Sequence, residues 1–499
     1  VSTEFERHGI ESIPDSDRTA TVFDFFRISW GGSNSLATAV LGAFPIIFGL
    51  SFVQAITATA LGVVLGSLVL APMALFGPLN GTNNAVSSSA HFGVVGRIVG
   101  SYLSLLTAIA FFSISVWSSG DAVMGALKRL AGVQPSEFSF ALAYAGFALA
   151  VLAVSTYGFR LMLWVNKIAV LASTSLFILG FIVFYPNFDG HFVGAGLSWH
   201  GTAFWQAFIS ATLIALSSPI SFGAFLGDWT RYLPKNTSRK SLLAASFVAQ
   251  LLSLVPFTFG LMSTSIIAKL APNYLAQADY TGGLLAIAPA AFVLPLLGLA
   301  TFSGMSTGTT SLYGTGLDFS SVFPRLTRAQ ATLLIGAIAC ILIFVGRFAF
   351  NLVDAITTFV SLIVVMTTPW MMVMMIGYWV RRGFYLPAAM QVFNRGQVGG
   401  PYWFRGGWNI PGISAWLISA TLALLTVNIP GHFVGWLGNI AGGLDLSLLA
   451  ALGLPTILYP ILLYLFPEPS AVFGPRGPRG IPSTDLPIKP VTTRLRGPS

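Results

Sequence analysis

The sequence predicts an all-α membrane protein of twelve transmembrane helices, and three features point there. Apolar residues make up 55% of the 499 and charged residues only 8%, where a soluble domain carries about a quarter of its residues charged. The apolar residues gather into twelve runs of roughly 20, the length that crosses a bilayer as a helix. The basic residues then fall almost wholly on one side of those runs.

The runs lie at 28–49, 53–76, 99–126, 138–157, 162–185, 204–226, 242–268, 290–317, 331–350, 352–379, 412–428 and 447–466. If the N-terminus is cytoplasmic, only Lys128, Arg129, Lys269 and Arg347 of the 25 lysines and arginines stand in outer loops. That asymmetry is what the positive-inside preference produces, so both termini are expected in the cytoplasm and the chain in the plasma membrane. The net charge of +9 is spread one to four residues at a time between apolar runs. It therefore reports topology, and no nucleic-acid partner is expected. Residues 1–20 carry Glu4, Glu6, Glu11, Asp15 and Asp17, unlike the basic start of a cleaved signal, so none is expected. The single cysteine, Cys340, permits neither an internal disulfide nor a cysteine metal site. Residues 1–27 read as a cytoplasmic segment, and 467–499, rich in Pro, Gly and Arg, as a disordered cytoplasmic tail.

The first run contains Trp30, Gly31, Gly32, Ser33, Asn34 and Ser35, a poor helix interior. Glycine costs about 1 kcal/mol against alanine there, and serine and asparagine compete for backbone bonds. A break at that depth is tolerable only where protein or a water-filled cavity satisfies the freed peptide groups, which makes it a pointer to a binding site. In the second run Gly62 and Gly66 form a GxxxG, read as a packing face against another helix of the chain. The third run places Phe111, Phe112, Ser113, Ser115 and Trp117 at or near the midplane, a set suited to a flat uncharged ring and equally to ordinary packing. Asp121 falls near the outer boundary, beside Lys128.

The sixth run is interrupted at Ser217, Ser218, Pro219, Ile220, Ser221, Phe222 and Gly223. Runs one and six point in opposite directions, so two five-helix units, 28–185 and 204–379, would be related by inverted topology, each opening on a broken helix. Runs eleven and twelve, 412–466, stand outside the repeat. The eighth run carries Ser303, Ser306, Thr307, Thr309, Thr310 and Ser311 near its middle, a polar cluster facing protein or water, or else a small-residue packing face.

Chemistry of other kinds finds no footing. Gly304 to Gly308 matches G-x-S-x-G, but inside a helix and without a histidine nearby in any run. Neither H-E-x-x-H nor a Walker sequence occurs. An enzyme is not expected, and any energy input must come from an ion gradient. The calculated midplanes of runs one, three, six and eight hold no basic residue, which favours a neutral polar substrate.

The chain resembles the purine-cytosine permeases of the nucleobase-cation-symport-1 family in four ordered stretches. These are Gly9, Ile10, Glu11, Ile13, Pro14, Asp17 and Arg18 followed by Asp24, Phe25, Phe26, Trp30 and Asn34; Gly77 to Gly96 with His91, Phe92 and Gly93; Gly227, Asp228, Trp229, Thr230, Arg231, Tyr232, Leu233 and Pro234; and Arg381, Arg382 and Gly383 through Tyr402, Gly407 and Asn409. The resemblance spans residues 9 to about 466. It implies a LeuT-type fold of five plus five inverted helices with two more at the C-terminus, alternating access, and import of a nucleobase or related compound with Na+ or H+. It also implies substrate contacts from Gly32, Ser33 and Asn34 in the first run, from Phe111 and Ser115 in the third, from Pro219 and Phe222 in the sixth and from Ser311 in the eighth. Ser306 and Thr307 match the hydroxyls of a sodium site. Where the family places a stacking tryptophan and two amides, this chain has Phe111, Ser115 and Ser311, which leaves cytosine, purine, allantoin, hydantoin and vitamin substrates open. Trp117 and Ser218 complete the candidate set from their positions beside these residues. The expected function is thus a cation-coupled secondary transporter for a neutral N-heterocycle; the alternative is an uncoupled channel or facilitator for small polar solutes.

Overall fold

The computed structural model describes residues 11–157, 159–276, 279–323, 326–349 and 352–493. Among these, nine helices are long and apolar enough to cross a membrane, and three apolar helices are shorter: Leu36–Ile47, Ala329–Val345 and Ile410–Leu425. Each of the twelve apolar runs is mainly helical where it is described, and three of them are broken into two helices.

The first run is two helices, α1 (Val22–Ser33) and α2 (Leu36–Ile47). α1 starts at Val22, inside the segment expected to precede the membrane, because Thr21 and Asp24 form a reciprocal cap: the Asp24 N–H donates to the Thr21 hydroxyl at 3.1 Å and the Thr21 N–H to the Asp24 carboxylate at 3.0 Å. The next spans are α3 (Phe52–Leu70), α4 (Ile98–Ala131), α5 (Glu137–Tyr157) and α6 (Phe159–Phe184). Asp121 of α4 is not a free interfacial carboxylate, since the Tyr144 hydroxyl of α5 donates to it.

The sixth run also divides, into α7 (Thr202–Ser221) and α8 (Leu226–Thr230), but later than its sequence suggests. The helix carries Pro219 inside it and unwinds only over 222–225. Hydroxyls of Ser217 and Ser221 donate to the carbonyls of Ile214 (2.7 Å) and Ser218 (2.5 Å), holding the strained turn together. The proline ring lies over Gly66 of α3, where a Cβ would stand 3.0 Å from Pro219 Cγ. The seventh run is likewise two helices, α9 (Arg239–Leu251) and α10 (Leu254–Leu270), a division the sequence reading missed. Pro256 has no N–H to return to the Leu252 carbonyl, so the ladder is interrupted there. The chain continues as α11 (Val293–Val322), α12 (Arg328–Ala349), α13 (Leu352–Val380), α14 (Ile410–Leu425) and α15 (Ser447–Leu465).

Small residues set the closest helix approaches. Gly62 and Gly66 seat α3 on α7, as the GxxxG reading expected, with a Cβ at Gly62 only 2.8 Å from that of Ala215. In the same way α2 meets α10, where a Cβ at Gly42 would come 2.5 Å from the Phe257 carbonyl oxygen. α11 presses on α5 through Gly308, 3.0 Å from Val151 by the same measure, and packs along α4.

Where the loops before α4, after α8 and after α13 meet the segment that follows α15, buried charges seal the molecule. Arg97, Arg231 and Arg381, which in sequence look like loop cations, are at most 1% exposed, and Asp318 is fully buried. The Asn83 amide donates to Asp318 at 2.5 Å. Arg381 donates to Glu468 at 2.6 Å and to the Ala90 carbonyl at 2.5 Å. His91 accepts from Arg381 Nε at 3.4 Å, so its Nε2 carries the proton toward the Tyr385 hydroxyl at 3.1 Å. Burial, reinforced by Arg381, holds this imidazole well below its ordinary pKa.

The expectation of a disordered tail over 467–499 is corrected by the same layer for residues 467–493; residues 494–499 lie outside the described residues. Glu468–Pro469 pairs in parallel with Ser483–Thr484, and Thr492–Thr493 pairs antiparallel with Gln397–Val398 in the loop before α14. Val472 and Phe473 are buried, with the Arg381 guanidinium 5.2 Å from the Phe473 ring. Composition suggested disorder, but one buried ion pair and two apolar anchors dock the segment.

Candidate functional site

The break between α1 and α2 is chemically complete on its backbone and incomplete on its side chains. Asn34 leaves the helix at φ −81°, ψ 67°, and Ser35 is extended and caps α2, accepting from Thr38 N–H at 3.2 Å. The carbonyls that the break frees are taken by hydroxyls. Ser306 donates to Gly31 at 2.9 Å, Thr307 to Gly32 at 2.8 Å, and Thr38 to Ser33 at 2.7 Å. The freed Leu36 N–H donates to Ser303 at 3.0 Å. The hydroxyl-rich stretch of α11 is therefore divided in labour: Ser303, Ser306 and Thr307 satisfy α1 and α2, while Thr309 and Thr310 bond back to Met305 and Ser306 in their own helix.

The two broken helices touch. A Cβ on Gly32 would lie 2.8 Å from the Phe222 ring and 3.4 Å from the Thr310 hydroxyl. Phe222 stands where α7 unwinds, packed against Phe225 and Trp229 at 5.5 and 5.6 Å between centroids. The Asn34 amide nitrogen donates to Ser173 (3.1 Å) and Thr174 (2.8 Å) of α6, which leaves its Oδ1 buried without a partner. Ser115 of α4 and Ser218 of α7 are fully buried, and each hydroxyl is likewise without a partner. Ser33 turns its hydroxyl back to the Trp30 carbonyl at 3.2 Å. Phe111 and Ser311 are buried in α4 and α11.

Two candidates stand elsewhere. The Trp117 indole donates to the Ile343 carbonyl of α12 at 3.3 Å, and the Pro219 ring packs on Gly66. In both cases the contact shown is with a neighbouring span, α12 for Trp117 and α3 for Pro219. Conversely, Asn166, Ser173 and Thr174 of α6 were not foreseen, although an asparagine inside an apolar run is a signal for a polar partner at depth. An apolar cleft of about 550 Å³ between α3, α13 and α15, lined by Leu68, Met372, Leu449 and Ile457, includes none of these residues.

The two helix breaks meet at the Phe222 ring, and Asn34 keeps an unpaired amide oxygen at one of them, in a chain whose residues 12–448 match the family described as permeases for cytosine/purines, uracil, thiamine and allantoin. The chain belongs to that family. It is a membrane transporter of the nucleobase-cation-symport-1 group, of nucleobase and vitamin type, and not an enzyme. The putative purine-cytosine permease YxlA of Bacillus subtilis (strain 168) is 24% identical over 468 residues, covering 92% of this chain and 96% of that protein. The vitamin B6 transporter TPN1 of Saccharomyces cerevisiae is 22% identical over 279 residues, 54% of this chain and 46% of that one. Among solved structures, Mhp1, a nucleobase-cation-symport-1 family transporter in a closed conformation with bromovinylhydantoin bound, superposes with a TM-score of 0.71 at 16% identity, covering 92% of this chain and 95% of that one. This permease therefore has the Mhp1 fold.

Proposed function

We propose that this permease is a cation-coupled symporter that imports a neutral N-heterocycle, of cytosine, purine, allantoin, hydantoin or vitamin type, by alternating access. The observation that carries the reading is the contact of Gly32 with Phe222 at the two helix breaks; Asn34 two residues on, Ser218 one turn before Phe222, and Ser115 in α4 each keep a buried polar atom without a partner. An aromatic ring stacks a flat substrate, and unpaired buried donors and acceptors reward a ring that carries amide or imide groups. Gly32, Ser33, Asn34, Phe111, Ser115, Ser218, Phe222 and Ser311 form the proposed substrate set.

Twelve spans in two inverted five-helix units plus two C-terminal helices are the proposed architecture. Reciprocal pairing supports it: the first run packs on the seventh, through α1 with α9 and α2 with α10, and the sixth on the second, through α7 with α3. The chain ends are proposed to lie in the cytoplasm of a cell whose plasma membrane the protein spans.

For the coupling ion, the Gly31 and Gly32 carbonyls and the Ser306 and Thr307 hydroxyls form an all-oxygen group, the donor type hard cations take. Unwound carbonyls at a helix break are where such transporters hold Na+. These four oxygens would hold it there, tying α1 to α11 and firming the wall that Gly32 presents to the substrate.

A thermal-shift panel of nucleobases, hydantoins and B vitamins on the purified protein tests the reading. One chemical class should raise the unfolding midpoint, by an amount equivalent to about 2.7 kcal/mol at one hundred times Kd, and Asn34→Ala should abolish the shift. A panel without effect, or a shift indifferent to Asn34→Ala, would overturn the proposed site.

A further inference from the structure

Asn166 of α6 is the buried polar group for which the substrate site has no use. It is fully buried, its Nδ2 donates to the Ser306 hydroxyl at 2.8 Å, and its Oδ1 has no partner. Ser306 passes the chain on, donating to the Gly31 carbonyl. Gly31 is what lets this carboxamide in: a Cβ there would collide with Asn166 Nδ2 and with Val170, and would stand 3.0 Å from Ser306 Oγ. A glycine in a helix, a buried asparagine one layer behind it and an orphaned amide oxygen thus converge on the same four oxygens of α1 and α11.

We infer that Asn166 is the third-helix ligand of the cation seat, its Oδ1 joining the Gly31 and Gly32 carbonyls and the Ser306 and Thr307 hydroxyls. The inference rests on the coupling proposed above. A carboxamide turned half a turn about its last bond puts oxygen where nitrogen stands, so the same side chain serves as donor to Ser306 without the ion and as oxygen ligand with it. An alkali cation would meet five neutral oxygens here. Trp30, Val170 and Ala249 form an apolar wall beside it that limits water. Occupancy would fasten α6 to α1 and α11 together, three helices from both halves of the chain.

The test is the unfolding midpoint of the purified protein without substrate, titrated with NaCl against KCl at constant ionic strength. Wild type should show a saturable rise with sodium. Asn166→Leu, close in volume and unable to ligate, should raise the half-saturating sodium concentration at least tenfold. Asn166→Asp, which keeps the oxygen and adds charge, should lower it at least threefold. An Asn166→Leu titration that superposes on wild type overturns the inference and leaves coupling intact. A wild type indifferent to sodium overturns the sodium seat, and the inference with it. Should Asn166→Leu fail to fold, Asn166→Asp decides, and an unchanged half-saturating concentration counts against the ligand role. A purely packing role would lower the midpoint in potassium as well and leave the sodium dependence where it was.

Discussion

Gly32 is the residue at which the two broken helices are fitted to each other. A methyl group there meets the Phe222 ring at 2.8 Å, so Gly32→Ala must swing that ring or push α7 away. We expect substrate affinity to fall about tenfold, equivalent to about 1.4 kcal/mol, and the Gly32→Ala, Phe222→Leu double variant to recover part of it. Isothermal titration of all four proteins gives the coupling, which for residues in contact runs about 0.5–3 kcal/mol; additive losses would mean the two side chains do not meet. The break itself was legible because glycine, serine and asparagine are poor in a helix interior whatever surrounds them. Asn166 was not, since its importance comes from Ser306, and nothing local links residues 140 positions apart in the chain. Trp117 shows the converse limit. Its type suited a stacking role, but which neighbour a helix turns a side chain toward depends on packing that sequence does not contain.

At the level of elements, glycine spacing decides which helices sit close. Gly66→Leu should separate α3 from α7 at Pro219 and the Leu216 carbonyl and destabilise the protein by about 1–3 kcal/mol, the usual cost of overpacking. Gly146→Ala makes the control, because nothing lies within 4 Å of its Cβ position in α5; it should be neutral or stabilising by up to about 1 kcal/mol. Both are read from unfolding midpoints in detergent. That the sixth run would break could be read from Pro219, but the position of the break could not. The proline is accommodated by Gly66 across the interface, and the unwinding passes to 222–225, where Gly223 follows Phe222. The division of the seventh run at Pro256 follows the same chemistry, yet a long apolar run with one proline reads equally well as a single kinked helix.

For the whole molecule, hydropathy and the distribution of basic residues marked out the helices, while the layer of buried charges around Arg97, Arg231 and Arg381 stayed hidden. Arg97, Arg231 and Arg381 look like solvated loop charges until the fold pairs or buries them. Glu468→Ala leaves the Arg381 guanidinium buried without its carboxylate and should cost about 3–5 kcal/mol, with the 468–484 segment becoming sensitive to protease. An unchanged midpoint and resistant segment would show that the tail does not hold this layer. Alternating access requires one site, between α1 and α7, that opens to either side in turn. Counterflow in proteoliposomes measures this most directly, using a labelled heterocycle from the class that stabilises the protein. Preloading with unlabelled compound should accelerate labelled uptake severalfold in wild type and not in Asn34→Ala; uptake that is indifferent to preloading would contradict an alternating site and leave an uncoupled pore in its place.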